Sequence, residues 1–299
     1  MKQYGSFAEA IRHTKYEIFT NSELVAPATW QSIDVTKRPE MVTHEVQWWG
    51  FMANVGRYWQ PDRMASLCEE IRPNLPWADD HFEERVCGYP LNPGTEWANW
   101  PYGKSADKFR GQDSMFNHTY AERYWPKYAT MLSAVYQAES AEAIVKDIGH
   151  NLLPHRGIRY NYGDLGDVVA QLVKDQYTRQ AVLPVFFPED TGAVHGDRVP
   201  CSIHYQFMVR NGRLDIFYYL RSCDFVRHFR DDIYLTVRLQ LWMIDRLKEH
   251  GIDVAPGKFL MQIGSLHIFR NDWQVLFNQP YTGAEYGEEE KDGPQHHRR

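Results

Sequence analysis

The 299-residue chain predicts one α+β domain. Ile203 to Val209 (IHYQFMV) and Leu214 to Leu220 (LDIFYYL) are rich in β-branched and aromatic residues. They flank Asn211-Gly212, a pair that takes the two positive φ angles of a tight hairpin at little cost. Asp232 to His250 reads as a long, mostly apolar and therefore central helix, with Gly251 just past its end. No internal repeat or clean boundary divides the chain, so residues 1–280 are expected to form the domain and 281–299 (acidic, then basic) a disordered tail.

Residues 6–13 predict a short helix and 22–38 a mixture of strand and loop. Val42 to Tyr58 reads as a buried helix, because Val42, Val46, Trp49 and Ala53 recur at helical spacing. Residues 73–118 are rich in Pro, Gly, Asn, Asp and Trp, the composition of a long loop region that carries function or moves. Tyr120 to Lys146 and Asp164 to Lys174 predict helices. Ala181 to Phe187 predicts a strand whose Pro184 marks an edge or a bulge. Phe259 to Phe269 predicts the last strand.

At 43% hydrophobic and 14% aromatic content the chain can bury a large core. A net charge of −6 gives no nucleic-acid footprint, although a small phosphate ligand needs only a few local cations. The four cysteines show no CxxC spacing and read as reduced thiols. The amino terminus is polar, so neither secretion nor a membrane span is expected, and a cytoplasmic protein of a bacterial or phage-infected cell is.

Cys201 precedes the first hairpin strand in Val199-Pro200-Cys201-Ser202, and Arg221-Ser222-Cys223-Asp224 follows the second. An antiparallel pair brings both to one end of the sheet, setting a candidate nucleophile beside an anion-binding Arg-Ser pair and a carboxylate. These residues resemble the thymidylate synthase superfamily over roughly 40–275, relative to which 124–160 looks like an insertion. Its Pro-Cys step and following Gln-Phe are matched by Pro200-Cys201 and Gln206-Phe207, and its Arg-Ser-x-Asp by Arg221 to Asp224. His44-Glu45-Val46-Gln47-Trp48 resembles its active-site Glu segment, and Gly264-Ser265-Leu266-His267 its last-strand motif. Phe229-Arg230-Asp231-Asp232 and Gly264 to His267 are similar to the deoxycytidylate hydroxymethylase branch, and two positions depart from the synthase pattern. Ser202 stands where synthases have His after the cysteine, and Asp232 stands eleven residues after Arg221, where they have a uracil-reading Asn.

The resemblance implies a large mixed sheet packed with helices, a sheet-mediated homodimer, a pyrimidine nucleoside monophosphate substrate and 5,10-methylenetetrahydrofolate as co-substrate, with no metal. Thiolate addition of Cys201 at C6 activates C5; a buried inert thiol is the competing reading. Arg221 and Ser222 would hold the phosphate, with Arg179 reaching the partner's phosphate site. Glu45 would relay protons. Asp224 would meet the pterin, against a salt bridge to Arg227. His267 would bond the sugar, and Phe269, where synthases have Tyr, leaves ribose and deoxyribose both open. Tyr120 would lie near the thiol, with Tyr162 its rival.

Asp232 carries the base choice. Cytosine presents an N4 amino donor and an N3 acceptor, which suit a carboxyl group able to share a proton; a helix N-cap is the competing role. The expected function is C5 hydroxymethylation of a cytidylate, dCMP favoured. A CMP hydroxymethylase, a thymidylate synthase or dUMP hydroxymethylase, and a non-catalytic nucleotide- or RNA-binding protein are the alternatives.

Overall fold

Seven strands form the main sheet in the order β1-β5-β9-β8-β7-β6, with β2 added beside β5. The computed structural model describes residues 1–30, 33–58, 64–103, 107, 110–111, 114–126, 163–191 and 198–281. The strands of this sheet are β1 (Lys2–Tyr4), β2 (Glu23–Val25), β5 (Thr43–Asn54), β6 (Val182–Pro184), β7 (Ser202–Arg210), β8 (Arg213–Asp224) and β9 (Ala255–Phe269). Two short strands, β3 (Thr29–Trp30) and β4 (Ile33–Asp34), pair separately. The helices are α1 (Phe7–Asn21), α2 (Met64–Ile71), α3 (Trp77–Val86), α4 (Tyr120–Tyr124), α5 (Leu165–Lys174), α6 (Phe229–Glu249) and α7 (Asp272–Phe277). Mixed pairing defines the α+β class, since β1–β5 and β8–β9 are parallel while the other ladders of this sheet are antiparallel.

The hairpin forms as the sequence requires. Asn211 and Gly212 have φ of 53° and 68°, the pair of positive angles a primed turn needs. The helix expected at 164–174 is α5, capped by the Asp164 side chain on the Asp167 amide. Helix α6 runs through the core: Ile233, Val237 and Leu247 are fully buried, and Gln240 donates from Nε2 to the Leu214 carbonyl at 2.6 Å. It begins at Phe229, so His228 is the N-cap residue, and Asp231 and Asp232 lie in the first turn, where carboxylates favour the helix dipole.

Four expectations are corrected. Residues 42–58 are not a helix but strand β5 and a short 3₁₀ turn. Val46 and Trp49 are both buried at a spacing of three because the buried face changes parity between them, which imitates helical periodicity. The same change occurs on β8 between Leu220 and Cys223, and on β9 between Ile263 and Leu266. The registers Val46↔Leu266↔Cys223 and Trp49↔Ile263↔Leu220 put all three changes on one line across the sheet. Trp48, at φ 55°, and Gly264 lie on that line.

Within the supposed loop 73–118, Trp77–Val86 is helical, burying Trp77, Phe82 and Arg85 at spacings of five and three, with Asp79 and Asp80 in its first turn. The helix expected at 120–146 ends at Tyr124, where Trp125 leaves helical geometry; residues 127–162, most of the supposed insertion, lie outside the described residues. The strand expected over 181–187 shrinks to Val182–Pro184, at the sheet edge where a missing N–H does no harm.

Candidate active site

Strands β7 and β8 set the thiol corner. Ser202 pairs with Leu220, and the Arg221 amide donates to the Cys201 carbonyl at 2.9 Å. Cys201 Sγ, partly exposed, lies 3.6 Å from Ser222 Oγ and 3.9 Å from Arg221 Nη2. The Arg221 guanidinium is held by the carbonyls of Pro200 (2.9 Å to Nε) and Val199 (3.0 Å to Nη2), and it remains exposed to solvent. The Arg221 cation thus lies beside the sulfur.

Behind the thiol lies a hydroxyl cluster in which Ser202 and Tyr218 are fully buried and Tyr120 partly. Ser202 Oγ, fully buried, donates to the Tyr120 hydroxyl at 3.0 Å and shares a 2.5 Å hydrogen bond with the Tyr218 hydroxyl. Tyr218 donates to Asp232 Oδ1 at 3.4 Å, and the Cys223 thiol to Asp232 Oδ2 at 3.5 Å. Burial pushes the Asp232 carboxyl up to about 7, with the nearby Asp231 adding to the rise and Arg85 partly opposing it. Burial likewise raises Tyr120, Tyr218 and Cys223, so these remain protonated. Asp232 is no cap residue, since His228 holds the N-cap position and Asp232 lies in the first turn of α6.

The carboxylate end lies where β5, β9 and β8 run side by side. His267 pairs in register with Glu45 on one side and Asp224 on the other. Glu45 Oε2 accepts from Ser265 Oγ at 2.5 Å. Asp224 takes the amides of Val226 and Arg227 on Oδ1 and an Arg227 hydrogen bond of 2.9 Å on Oδ2, the salt bridge that competed with a ligand role. Trp100 stacks on His228 at 5.3 Å, and Arg227 lies over the rings of Tyr102 and Phe269, which puts an aromatic wall beside Asp224. Burial lowers His228 to about 4 and so keeps it neutral.

Tyr120 therefore joins Ser202 at the thiol corner, while its rival Tyr162 lies outside the described residues. Arg179 is exposed near the β6 edge, its carbonyl accepting from Gln206 Nε2 at 3.1 Å. Sequence reasoning missed Arg198 and Arg85. Arg198, three residues before Cys201, is a half-buried residue whose charge acts on Cys201, Tyr120 and Arg221. Arg85 is buried with its guanidinium 3.9 Å from the centre of the Tyr120 ring; its Nε donates to His81 Nε2 at 2.9 Å, and His81 Nδ1 bonds Glu96 at 2.6 Å. The i, i+4 pair His81–Arg85 was the available signal, hidden by reading that segment as loop.

Residues 94–281, well over half of the chain, match the thymidylate synthase family model. The chain belongs to the thymidylate synthase family. It is 25% identical over 165 residues to a protein of Methanococcoides burtonii assigned as a thymidylate synthase, covering 55% of this chain and 68% of that one. It is 30% identical over 118 residues to the bifunctional dihydrofolate reductase-thymidylate synthase of Zea mays, covering 40% of this chain and 21% of that protein. Thymidylate synthase family membership makes the chain a one-carbon transferase of the folate-dependent, pyrimidine-C5 type, with methylenetetrahydrofolate as the family's co-substrate. Among the described residues no helix is long and apolar enough to cross a membrane.

Proposed function

We propose that the chain is a cytidylate 5-hydroxymethylase, with dCMP as the favoured substrate. The observation that carries this reading is Asp232, a carboxyl pushed to about 7 by burial beside Tyr218 and Cys223. Near neutral pH such a group holds or shares a proton, so one oxygen can donate to cytosine N3 while the other accepts from the N4 amino group. Uracil offers the reverse order and would leave buried groups unpaired.

Cys201 adds to C6, aided by the Arg221 charge, and C5 then attacks the one-carbon unit that methylenetetrahydrofolate supplies. Arg221 and Ser222 hold the phosphate, joined by Arg179 of the second subunit of a homodimer. The half-exposed residues Phe217, Tyr219, Leu260 and Met52, on the sheet face turned away from α1 and α6, support a sheet-to-sheet dimer. Glu45 moves protons at C5, His267 bonds the sugar, and Asp224 meets the pterin against the aromatic wall of Trp100 and His228. Phe269 is buried and brings no hydroxyl to the sugar side, which keeps CMP as a second substrate.

Incubation with methylenetetrahydrofolate and each of dCMP, CMP and dUMP, with products identified by mass spectrometry, tests the reading. A 5-hydroxymethyl cytidylate with tetrahydrofolate released is expected. Preference for dUMP, or dihydrofolate as a product, overturns it.

A further inference from the structure

Three hydroxyls form a hydrogen-bonded chain that ends on Asp232. Tyr120, Ser202 and Tyr218 come from α4, β7 and β8, and Ser202 directly follows Cys201. Successive oxygen separations are 3.0 Å (Tyr120 to Ser202), 2.5 Å (Ser202 to Tyr218) and 3.4 Å (Tyr218 to Asp232 Oδ1). Tyr218 has one proton and two acceptors, so it can serve Ser202 or Asp232 but not both at once. Ser202 faces the same choice between Tyr120 and Tyr218. A chain of this kind has two directions, and passing one proton across each hydrogen bond turns it from one to the other.

We infer that Tyr120, Ser202 and Tyr218 form a proton relay between the Cys201 thiol and the Asp232 carboxyl. The inference rests on the proposed thiol attack and on Asp232 meeting the base. As the C6–S bond forms, Cys201 gives its proton to Tyr120, directly or through one water. Tyr120 passes its own to Ser202, Ser202 to Tyr218, and Tyr218 to Asp232 in the molecules where that carboxyl is ionised, as part of them are near neutral pH. One S–H bond is lost, one O–H bond is gained on Asp232, and the three hydroxyls end as they began. Asp232 then presents the donor that cytosine N3 requires. The proton runs back when the C6–S bond breaks.

The surroundings fit a relay that passes charge. Around the thiol end lie Arg221, Arg198, Tyr120 and Cys223. Around the carboxyl end lie Tyr218, Cys223, Asp231, Tyr120 and Arg85. Arg85 packs on the Tyr120 ring and is tied through His81 to Glu96, so a fixed cation lies along the path and stabilises any transient anion. Ser202 and Tyr218 are positioning residues in this scheme, acting through Cys201 and Asp232.

The test compares wild type, Ser202→Ala, Ser202→Thr and Tyr218→Phe. Its first readout uses no nucleotide: the rate at which iodoacetamide alkylates Cys201 at neutral pH, followed on the Cys201 peptide by mass spectrometry. Ser202→Ala and Tyr218→Phe should slow alkylation at least three-fold, because the state with a thiolate at Cys201 and the proton on Asp232 loses the hydrogen bonds that stabilise it, while Ser202→Thr keeps the wild-type rate. The second readout is turnover with dCMP, CMP and dUMP in water and in heavy water. The two relay-breaking variants should lose ten-fold or more in kcat, keep KM within about two-fold, and lose most of the solvent isotope effect. Equal alkylation rates in all four proteins overturn the relay whatever the substrate. A relay signature seen with dUMP instead of a cytidylate keeps the relay and overturns the base reading.

Discussion

A Cβ placed on Gly264 would lie 2.8 Å from the Arg221 carbonyl oxygen, so strands β8 and β9 approach each other there as closely as only glycine allows. The contact falls on the line where β5, β8 and β9 all change their buried parity. It aims Ser222 at Cys201 and sets His267 between Glu45 and Asp224. Gly264→Ala should therefore cost about 1–3 kcal/mol of stability, the scale of overpacking, and displace Arg221. Denaturant unfolding and nucleotide affinity check this. An unchanged midpoint and affinity would show that the close approach is not required.

Cys201→Ala should abolish product formation and exchange of the C5 hydrogen while nucleotide binding stays within a few-fold of wild type. Only the thiolate activates the ring. Isotope exchange at C5 persisting in the variant would remove Cys201 from the nucleophile role. Mixing this variant with Arg179→Ala protein should restore part of the activity through hybrid dimers that keep one complete site. Absence of rescue would count against the shared arrangement.

Arg221→Ala should weaken nucleotide binding by about 1.5–3 kcal/mol, the scale of a hydrogen bond to a charged group. Binding of the nucleoside should change far less. Calorimetry of both ligands on both proteins decides, and an equal loss for the two ligands would mean that Arg221 shapes the Cys201 corner and not the phosphate site.

Asp232 predicts a stability profile as well as a substrate. The folded carboxyl holds its proton up to about pH 7, whereas the unfolded one releases it near the ordinary carboxylate value of about 4. Between these limits the folded state binds more protons, so stability falls as pH rises through that window. Three pH units correspond to a penalty on the order of 4 kcal/mol above it. Asp232→Asn should thus be more stable than wild type at pH 8, with the advantage shrinking towards pH 4, and should shift activity from cytidylate to uridylate. The same stability difference at both pH values would mean that the folded carboxyl titrates normally.

Arg123 and Asp190 form a fully buried bidentate pair, with hydrogen bonds of 2.8 and 3.0 Å. Asp190→Ala should destabilise the fold by about 3–5 kcal/mol, because the guanidinium is left buried without its counter-charge. Urea unfolding measures it, and a loss below 1 kcal/mol would show that Arg123 finds another partner or water.

What could be read from the amino-acid order was what short-range chemistry controls. Asn211-Gly212 sets the hairpin, the hairpin sets the register, and the register brings Cys201 beside Arg221 without help from distant residues. Strand β5 was not legible in this way, since its parity change makes sense only beside the matching changes on β8 and β9. Nor was α3 legible as the source of Arg85, whose burial depends on α4 and Tyr120. The environment of Asp232 belongs to the tertiary structure alone. Residue type says that a carboxyl is present, but whether it keeps a proton depends on how much water Tyr218, Cys223 and the first turn of α6 exclude. That is a sum over neighbours separated in sequence, which no local pattern encodes.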